Sequence, residues 1–249
     1  NLDIVVEAIV EDMGIKQKVI GQTAAQMRSD AIIVTNTSSL SVTEMSKGHP
    51  NPEYFAGMHF FSPVHKMPLV EVIRGDKSSD ETIATVFELS KKMGKMPVVV
   101  KDGPGFLVNR LLLPYMAEAA FFMAEGMDIT VVDKAFVRQF GMPMGPFELM
   151  DSVGLDVCVK VLNIFKKAYP DRVEVPALMQ KLSENKSRLG QKTNLVFYKY
   201  DSSGRKTEVD SSIYSELGMS APTNPYDVSE CLERGVFAMI NECALALDE

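Results

Sequence analysis

The stretch KDGPG, residues 101–105, divides the sequence into two parts of different character. Before it, short apolar runs with the composition of buried strands alternate with segments of helical periodicity. After it, nearly every apolar segment has the spacing of a helix. Alternating strands and helices are typical of an α/β sheet covered on both faces, whereas a run of helices is typical of a helical domain. The sequence therefore predicts an α/β domain followed by an all-α domain.

Five apolar runs in the first part are predicted strands. They are DIVVEAIV (3–10), AIIVT (31–35), YFAGMHF (54–60), LVEVI (69–73) and MPVVV (96–100). Ser79 is a predicted helix N-cap with Asp80 and Glu81 in the first turn, and Gly94 is predicted to end that helix.

Composition argues against several classes of protein. The 249 residues carry a formal net charge of −7, whereas a nucleic-acid-binding protein usually presents a basic face. No apolar run approaches the ~20 residues that a membrane-spanning helix needs. The three cysteines have no paired or metal-like spacing, so we expect no metal site and a reducing, intracellular compartment.

Both ends of the sequence lie inside predicted elements. The strand pattern LDIVVEAIV (2–10) begins at once, and FAMINECALALDE (237–249) stops inside a helical pattern. We interpret the sequence as part of a longer protein. No G-x-G-x-x-G or Walker-type phosphate loop occurs in it.

A spacing pattern of one arginine, two glutamates and one alanine occurs twice in the helical part. The two sets are Arg110, Glu118, Ala120, Glu125 and Arg234, Glu242, Ala244, Glu249. The repeat predicts that a second copy of the helical domain begins near the end of the sequence.

His59 ends one predicted strand, and Glu71 lies inside the next, across the turn SPVHKMP (62–68). A buried carboxylate is unfavourable unless it is paired. Two interpretations are open on spacing alone: Glu71 faces solvent and His59 is a structural residue, or the two form a proton-transfer pair. Histidine suits general-base chemistry because it titrates near physiological pH, and a carboxylate on its other nitrogen fixes the tautomer.

Polar residues also follow the strand AIIVT. Asn36, Ser38 and Ser39 come directly after it, and α/β sheets bind ligands at the carboxyl ends of their strands. An ordinary helix cap is the alternative, since the sequence supplies Ser41 or Thr43 as the cap with Glu44 close behind.

Five segments occur in one order along most of the sequence. They are VVEAIVED (5–12), TNTSSLSVTEM (35–45), FAGMHFFSPVHKMPLVEVI (55–73), VVVKDGPGFLVNRLLLPYMAEA (98–119) and PMGPFELMDSVGLD (143–156). In sequence, order and spacing they resemble the 3-hydroxyacyl-CoA dehydrogenases of fatty-acid β-oxidation.

The resemblance implies roles for four residues. His59 is expected to be the general base that removes the proton of the substrate's 3-hydroxyl, with Glu71 as its orienting partner. Ser38 is expected to bind the reacting oxygen, and Asn109 to border the same pocket.

NAD is the implied cofactor. Val10, Glu11 and Lys16 match the family's cofactor-contacting turn, and Ser38 is expected near the nicotinamide. Two further expected contacts lie where this chain departs from the family. Ser62 stands where the family usually has asparagine, and Lys192 precedes Asn194 and Val196, which replace glycines.

The resemblance also divides the chain. Residues 1–100 are expected to be the second half of a Rossmann-type α/β domain, and residues 101–208 an all-α domain like the C-terminal domain of 6-phosphogluconate dehydrogenase. Residues 209–249 are expected to be a linker and the first helix of a truncated second helical copy.

The parent protein implied by the repeat is a multifunctional β-oxidation α subunit that also carries enoyl-CoA hydratase. It would act on acyl-CoA, in the bacterial cytoplasm or else in mitochondria or peroxisomes, and would bind a thiolase subunit. We expect the chain alone to be inactive and to form a homo-oligomer through residues 101–249, with LLLPYMAEAAFFM (111–123) near the contact. The alternatives are a β-hydroxyacid dehydrogenase acting on free acids and a non-catalytic assembly fragment.

Overall fold

The computed structural model describes residues 2–222 and 227–249. The chain divides into two compact units, which we call unit 1 (Asn1–Leu107) and unit 2 (Val108–Glu249). Part of the predicted linker, residues 223–226, lies outside the described residues.

Unit 1 is built on a five-stranded sheet. Its elements are β1 (Ile4–Glu7), α1 (Met13–Ala24), β2 (Ile32–Thr35), α2 (Val42–Ser46), β3 (Phe55–Phe60), β4 (Leu69–Arg74), α3 (Asp80–Lys92) and β5 (Met96–Lys101). The strand order is β1-β2-β3-β4-β5. Strands β1, β2 and β3 are parallel, β4 runs antiparallel to β3, and β5 is parallel to β4. All five predicted strands are present, which confirms the α/β interpretation.

Helices cover both faces of this sheet. One face packs against α3 through a cluster that includes Val34, Met58, Val72, Ile83 and Val86. The other face packs against α1 and α2 through Ile20, Ile33, Val42, Met45, Phe55, Ile73 and Phe106. Buried apolar side chains on both faces explain why the strands read as continuous apolar runs rather than alternating ones.

The predicted ends of α3 are confirmed. The Ser79 side chain accepts a hydrogen bond from the Thr82 N–H at 3.1 Å, and Asp80 and Glu81 occupy the first turn. Gly94 follows the helix with φ of +74°, a conformation that glycine adopts without steric cost.

Unit 2 is mainly helical. Its elements are α4 (Val108–Ala124), α5 (Ile129–Ala135), α6 (Pro146–Val153), α7 (Leu155–Ala168), α8 (Ala177–Glu184), β6 (Tyr198–Tyr200), β7 (Lys206–Val209), α9 (Ser212–Leu217) and α10 (Val228–Asp248). Helix α4 is central, because its residues Leu113, Tyr115, Ala119, Phe122 and Met123 belong to the core shared with the surrounding helices.

The two copies of the predicted repeat contact each other reciprocally. Arg110 of α4 donates to Glu242 at 2.5 Å and to Glu249 at 2.8 Å. Arg234 of α10 donates to the equivalent pair, Glu118 of α4 at 3.0 Å and Glu125, directly after α4, at 2.8 Å. Helices α4 and α10 therefore pair about a local pseudo-two-fold axis, an arrangement typical of two-fold symmetric interfaces.

Most of the expected contact segment, residues 111–123, is buried within the chain itself. Its residues Tyr115, Ala119 and Ala120 are fully buried, and Phe122 is 1% exposed. Helix α10 is among the elements that pack on α4, and the expected homo-oligomer stays a prediction. Among the described residues, no helix is both long enough and apolar enough to cross a membrane.

Candidate active site

The parallel arrangement of β1, β2 and β3 brings the segments after these strands to one edge of the sheet. Glu7 is in register with Thr35, and Thr35 with Gly57. The Asn36 side chain accepts a hydrogen bond from the Phe60 N–H at 2.9 Å, which joins the ends of β2 and β3. The residues that follow the three strands therefore face one region at the carboxyl edge.

His59 and Glu71 meet at this edge. They are in register on the antiparallel strands β3 and β4, and Nδ1 of His59 lies 2.7 Å from Oε2 of Glu71. Glu71 is fully buried and His59 is 6% exposed. The interpretation in which Glu71 faces solvent is therefore wrong.

The second oxygen of Glu71 is also engaged. Oε1 accepts a hydrogen bond from the Leu107 N–H at 2.9 Å, so the carboxylate is held on both sides. An ionised carboxylate only accepts hydrogen bonds, so the proton of a neutral His59 resides on Nδ1. That tautomer leaves Nε2 with the lone pair that a general base requires.

Two aromatic rings pack beside the His59 imidazole. The ring of Phe61 is 4.7 Å away between centroids, and that of Phe106 is 5.7 Å away. Both rings are tilted against the imidazole, by 56° and 59°. They limit the orientations of the His59 ring, which is 6% exposed.

Glu11 organises the turn that carries Ser38. Its Oε1 accepts from the Thr37 hydroxyl at 2.6 Å, from the Ser38 N–H at 3.1 Å and from the Ser39 N–H at 3.2 Å. Burial alone would raise the pKa of Glu11, but these hydrogen bonds and the charge of Lys16 outweigh it and lower the pKa. Glu11 is therefore an ionised anchor for the turn.

Lys16 is buried, with 1% of its surface exposed. Its ammonium donates to both oxygens of Glu7, at 2.8 and 3.1 Å, and to the carbonyl of Ile9 at 3.2 Å. These acceptors use all three ammonium hydrogens, and Glu11 Oε2 lies 3.5 Å away. The Thr35 hydroxyl donates to Glu7 at 2.6 Å. Lys16 thus reaches the turn through Glu11, and its direct contact with a cofactor stays a prediction.

The remaining predicted site residues are the cofactor contacts Val10, Ser62 and Lys192 and the pocket residue Asn109. Val10 is 62% exposed just beyond β1, and Ser62 is exposed in the loop after β3. Asn109 and Lys192 belong to unit 2, where Lys192 Nζ lies 2.5 Å from Asp156 Oδ1. The roles of all four residues stay predictions.

The turn after Lys192 forms although Asn194 stands where the family has glycine. Asn194 has φ of +62° and accommodates the left-handed conformation, which asparagine tolerates better than most residues. Val196 is fully buried.

Asp102 was named in the sequence only as part of the boundary stretch KDGPG, yet its carboxylate fixes the start of α2, the helix that follows the Ser38 turn. Its carboxylate accepts from the Ser41 hydroxyl at 2.7 Å and from the Thr43 N–H at 2.8 Å. Ser41 also caps α2 by accepting from the Glu44 N–H at 3.1 Å, so the predicted helix cap is confirmed at Ser41. The sequence separation of Asp102 from Ser41 hides this contact, although an aspartate before GPG is a signal for a cap or turn.

The carboxyl edge fits the nicotinamide half of a dinucleotide. Val10 and Ile9 are 62% and 40% exposed and offer apolar surface for a ring, while the turn after β2 offers hydroxyls. No group of three His, Cys, Asp or Glu residues that could hold a metal ion occurs within residues 2–222 and 227–249.

Two models of one protein family match the chain. Residues 1–103 match the model of the 3-hydroxyacyl-CoA dehydrogenase NAD-binding domain, and residues 105–200 match the model of that family's C-terminal domain. The chain belongs to the 3-hydroxyacyl-CoA dehydrogenase family. The predicted family, its Rossmann-like and helical fold, and NAD as the cofactor of its first domain are thereby confirmed.

Relatives of the chain include proteins of different length. It is 43% identical to the fatty acid oxidation complex subunit alpha of Acinetobacter baylyi, covering 100% of this chain and 35% of that protein. Two crystal structures are similar: (S)-3-hydroxybutyryl-CoA dehydrogenase of Ralstonia eutropha and FadB2 of M. tuberculosis. The first has a TM-score of 0.76 and 38% identity over 80% of this chain and 71% of that chain. The second has a TM-score of 0.77 and 32% identity over 81% of this chain and 72% of that chain.

Proposed function

We propose that the protein to which this chain belongs oxidises (S)-3-hydroxyacyl-CoA to 3-ketoacyl-CoA with NAD. The observation that carries the proposal is the His59–Glu71 pair, joined at 2.7 Å with Glu71 buried at the carboxyl edge of the sheet. A buried carboxylate that fixes one histidine tautomer leaves the other nitrogen as a base, and alcohol oxidation needs a base beside the hydride acceptor.

The proposed reaction removes one hydride and one proton from the substrate. Bound NAD supplies the acceptor for the hydride that leaves C3 of the substrate. His59 Nε2 takes the proton of the 3-hydroxyl, so that a C=O bond forms as the C–H and O–H bonds break. Glu71 stabilises the resulting imidazolium, because its charge lies beside Nδ1.

Ser38 and Asn109 are proposed to hold the reacting oxygen. The position of Ser38 supports this role, since its N–H is bound by Glu11 in the turn after β2. We propose that Val10, Glu11, Lys16, Ser62 and Lys192 form the cofactor contacts, with Lys16 acting by way of Glu11.

The parent is proposed to be a multifunctional β-oxidation subunit with enoyl-CoA hydratase activity, a thiolase partner and a cytoplasmic location in a bacterium. Support comes from the relative named as a fatty acid oxidation complex subunit alpha, of which this chain spans 35%. The α4–α10 pairing supports a second helical copy, because α10 repeats the ion-pairing residues of α4. We propose that the dehydrogenase activity belongs to this longer protein and that the chain alone is inactive.

The chain alone is proposed to form a homo-oligomer through α10. Phe237, Ile240 and Leu247 are 60%, 55% and 84% exposed on that helix. They lie three and seven residues apart, so they share one face of the helix. An exposed apolar stripe of this kind favours association. Light scattering should give a mass above that of one chain, and Phe237→Glu should return it to a monomer.

Turnover by the parent protein tests the proposed function. NADH formation should be observed with (S)-3-hydroxybutyryl-CoA or a longer (S)-3-hydroxyacyl-CoA, and the (R) isomers should be poor substrates. Free 3-hydroxybutyrate serves as the matched control. Equal kcat/KM with the free acid would favour the free-acid dehydrogenase class, and no turnover with any of these compounds would favour a non-catalytic role.

A further inference from the structure

The backbone at Phe106 adopts an uncommon conformation. Among the described residues, Phe106 and Asn194 are the non-glycine residues with positive φ, and Phe106 has φ of +48°. An aromatic residue is sterically disfavoured there, unlike asparagine. Such conformations persist where the surrounding structure enforces them, and they cluster at functional sites. Phe106 is also buried, with 5% of its surface exposed.

The segment that contains Phe106 is fixed at both ends. Asp102 is bound to the Ser41 hydroxyl at 2.7 Å, and the Phe106 N–H donates to the Gly103 carbonyl at 2.9 Å. One residue further on, the Leu107 N–H donates to Glu71 Oε1 at 2.9 Å. The positive φ therefore occurs directly before the peptide group that holds Glu71.

The side chain of Phe106 is directed at the other member of the pair. Its ring centroid lies 5.7 Å from that of His59. The same side chain belongs to the core cluster that contains Phe55 and Ile73. Phe106 thus touches His59 with its ring, while its backbone directs the next N–H to Glu71.

We propose that Phe106 is a positioning residue for the His59–Glu71 pair. Core packing of the ring keeps the backbone left-handed, and the left-handed backbone aims the Leu107 N–H at Glu71. The ring also restricts rotation of the imidazole. The catalytic consequence rests on the proposed function, whereas the effect on the pair itself does not.

The first test measures the pair in the full chain without any turnover. Phe106→Leu keeps most of the buried volume but removes the ring. Phe55→Leu is the control, because it makes the same change at a residue of β3 in the same core cluster. Nitrogen-15 NMR of the imidazole reports the tautomer, and the sequence has three histidines, so assignment by substitution is straightforward. Hydrogen exchange reports the Leu107 amide.

Phe106→Leu should lower the Nδ1-protonated fraction of His59 and speed exchange at Leu107 about tenfold, whereas Phe55→Leu should change neither. Phe106→Gly should lose the ring effect but keep slow exchange at Leu107, because glycine adopts positive φ freely. The proposal is overturned if Phe106→Leu matches Phe55→Leu in both readouts.

The second test concerns catalysis by the parent protein. Phe106→Leu should lower kcat about tenfold with little change in KM, and it should have no further effect in a His59→Gln background. An additive loss in the double variant would contradict action through His59. A parent without dehydrogenase activity would refute the proposed function, while the NMR result would still decide the positioning role.

Discussion

His59 and Glu71 are directly opposed on β3 and β4, and 2.7 Å separates Nδ1 of the histidine from Oε2 of the glutamate. The antiparallel register places the two side chains on the same face of the sheet, because directly opposed residues point the same way. Burial of the carboxylate makes this contact strong, since little water competes for it. The relationship motivates the first prediction.

Glu71→Gln should lower kcat of the parent protein by roughly 10²-fold, because the imidazolium formed during oxidation loses its negative partner. The acidic limb of the kcat/KM profile should move to lower pH, since protonation of the imidazole becomes less favourable. A pH-rate series on the wild-type and variant proteins measures both effects. Glu88→Gln, at an exposed glutamate of α3, is the control. An acidic limb that does not move would show that Glu71 does not act on the base.

Arg110 of α4 and Arg234 of α10 occupy equivalent positions in the repeat. The ion pairs of Arg110 are more buried than those of Arg234, so substituting each arginine compares buried with exposed ion pairs. Arg110→Met should lower the free energy of unfolding by ~3 kcal/mol, because it removes the guanidinium 2.5 Å from the carboxylate of Glu242, which is 3% exposed, and leaves Arg172 at 3.3 Å. Arg234→Met should cost ~1 kcal/mol or less, because Glu118 and Glu125 are 27% and 46% exposed. Urea unfolding measures both values, and a reversed order would contradict this account.

Two buried carboxylates should make unit 2 sensitive to pH. Burial raises the pKa of Asp133 to about 6 and that of Asp151 to about 7, although backbone N–H groups and tyrosine hydroxyls stabilise both ionised forms. The folded state therefore retains protons that the unfolded chain has released. Their contribution to the free energy of unfolding is fully present below the ordinary aspartate pKa of 3.8 and is lost as the pH rises from there through the folded-state values of about 6 and about 7.

Asp151→Asn tests this sign. The difference in unfolding free energy between the wild type and the variant should shift against the wild type as the pH rises from about 5 to about 8. Asp201→Asn, at an exposed turn aspartate, should leave the slope unchanged. A difference that shifts toward the wild type would show that the hydrogen bonds to Asp151 outweigh its burial.

Much of the fold was predictable because local patterns agreed with tertiary structure. The five strands were apolar runs, and Ser79 began a helix that ended before Gly94. The α4–α10 contact was predictable in part, since the repeat marked both arginines and their glutamate partners but not which of them pair.

The parts of the site that were not predicted depend on backbone geometry and on contacts between distant residues. The Leu107 N–H that holds Glu71 carries no sequence signal, because every residue except proline has such a group. The left-handed conformation of Phe106 is unexpected at an aromatic residue. Lys16 was predicted to contact a cofactor. Its burial against Glu7 was not predicted, because it depends on how α1 packs beside the end of β1.

The most direct test of the central claim compares the three histidines of this chain in the parent protein. His59→Gln should lower kcat for (S)-3-hydroxyacyl-CoA oxidation by roughly 10²–10⁴-fold with a modest change in KM. His65→Gln, in the exposed loop after β3, and His49→Gln, whose ring accepts the Asn51 N–H at 3.0 Å, should retain turnover close to that of the wild type. Undiminished turnover in His59→Gln would contradict the assignment of His59 as the base.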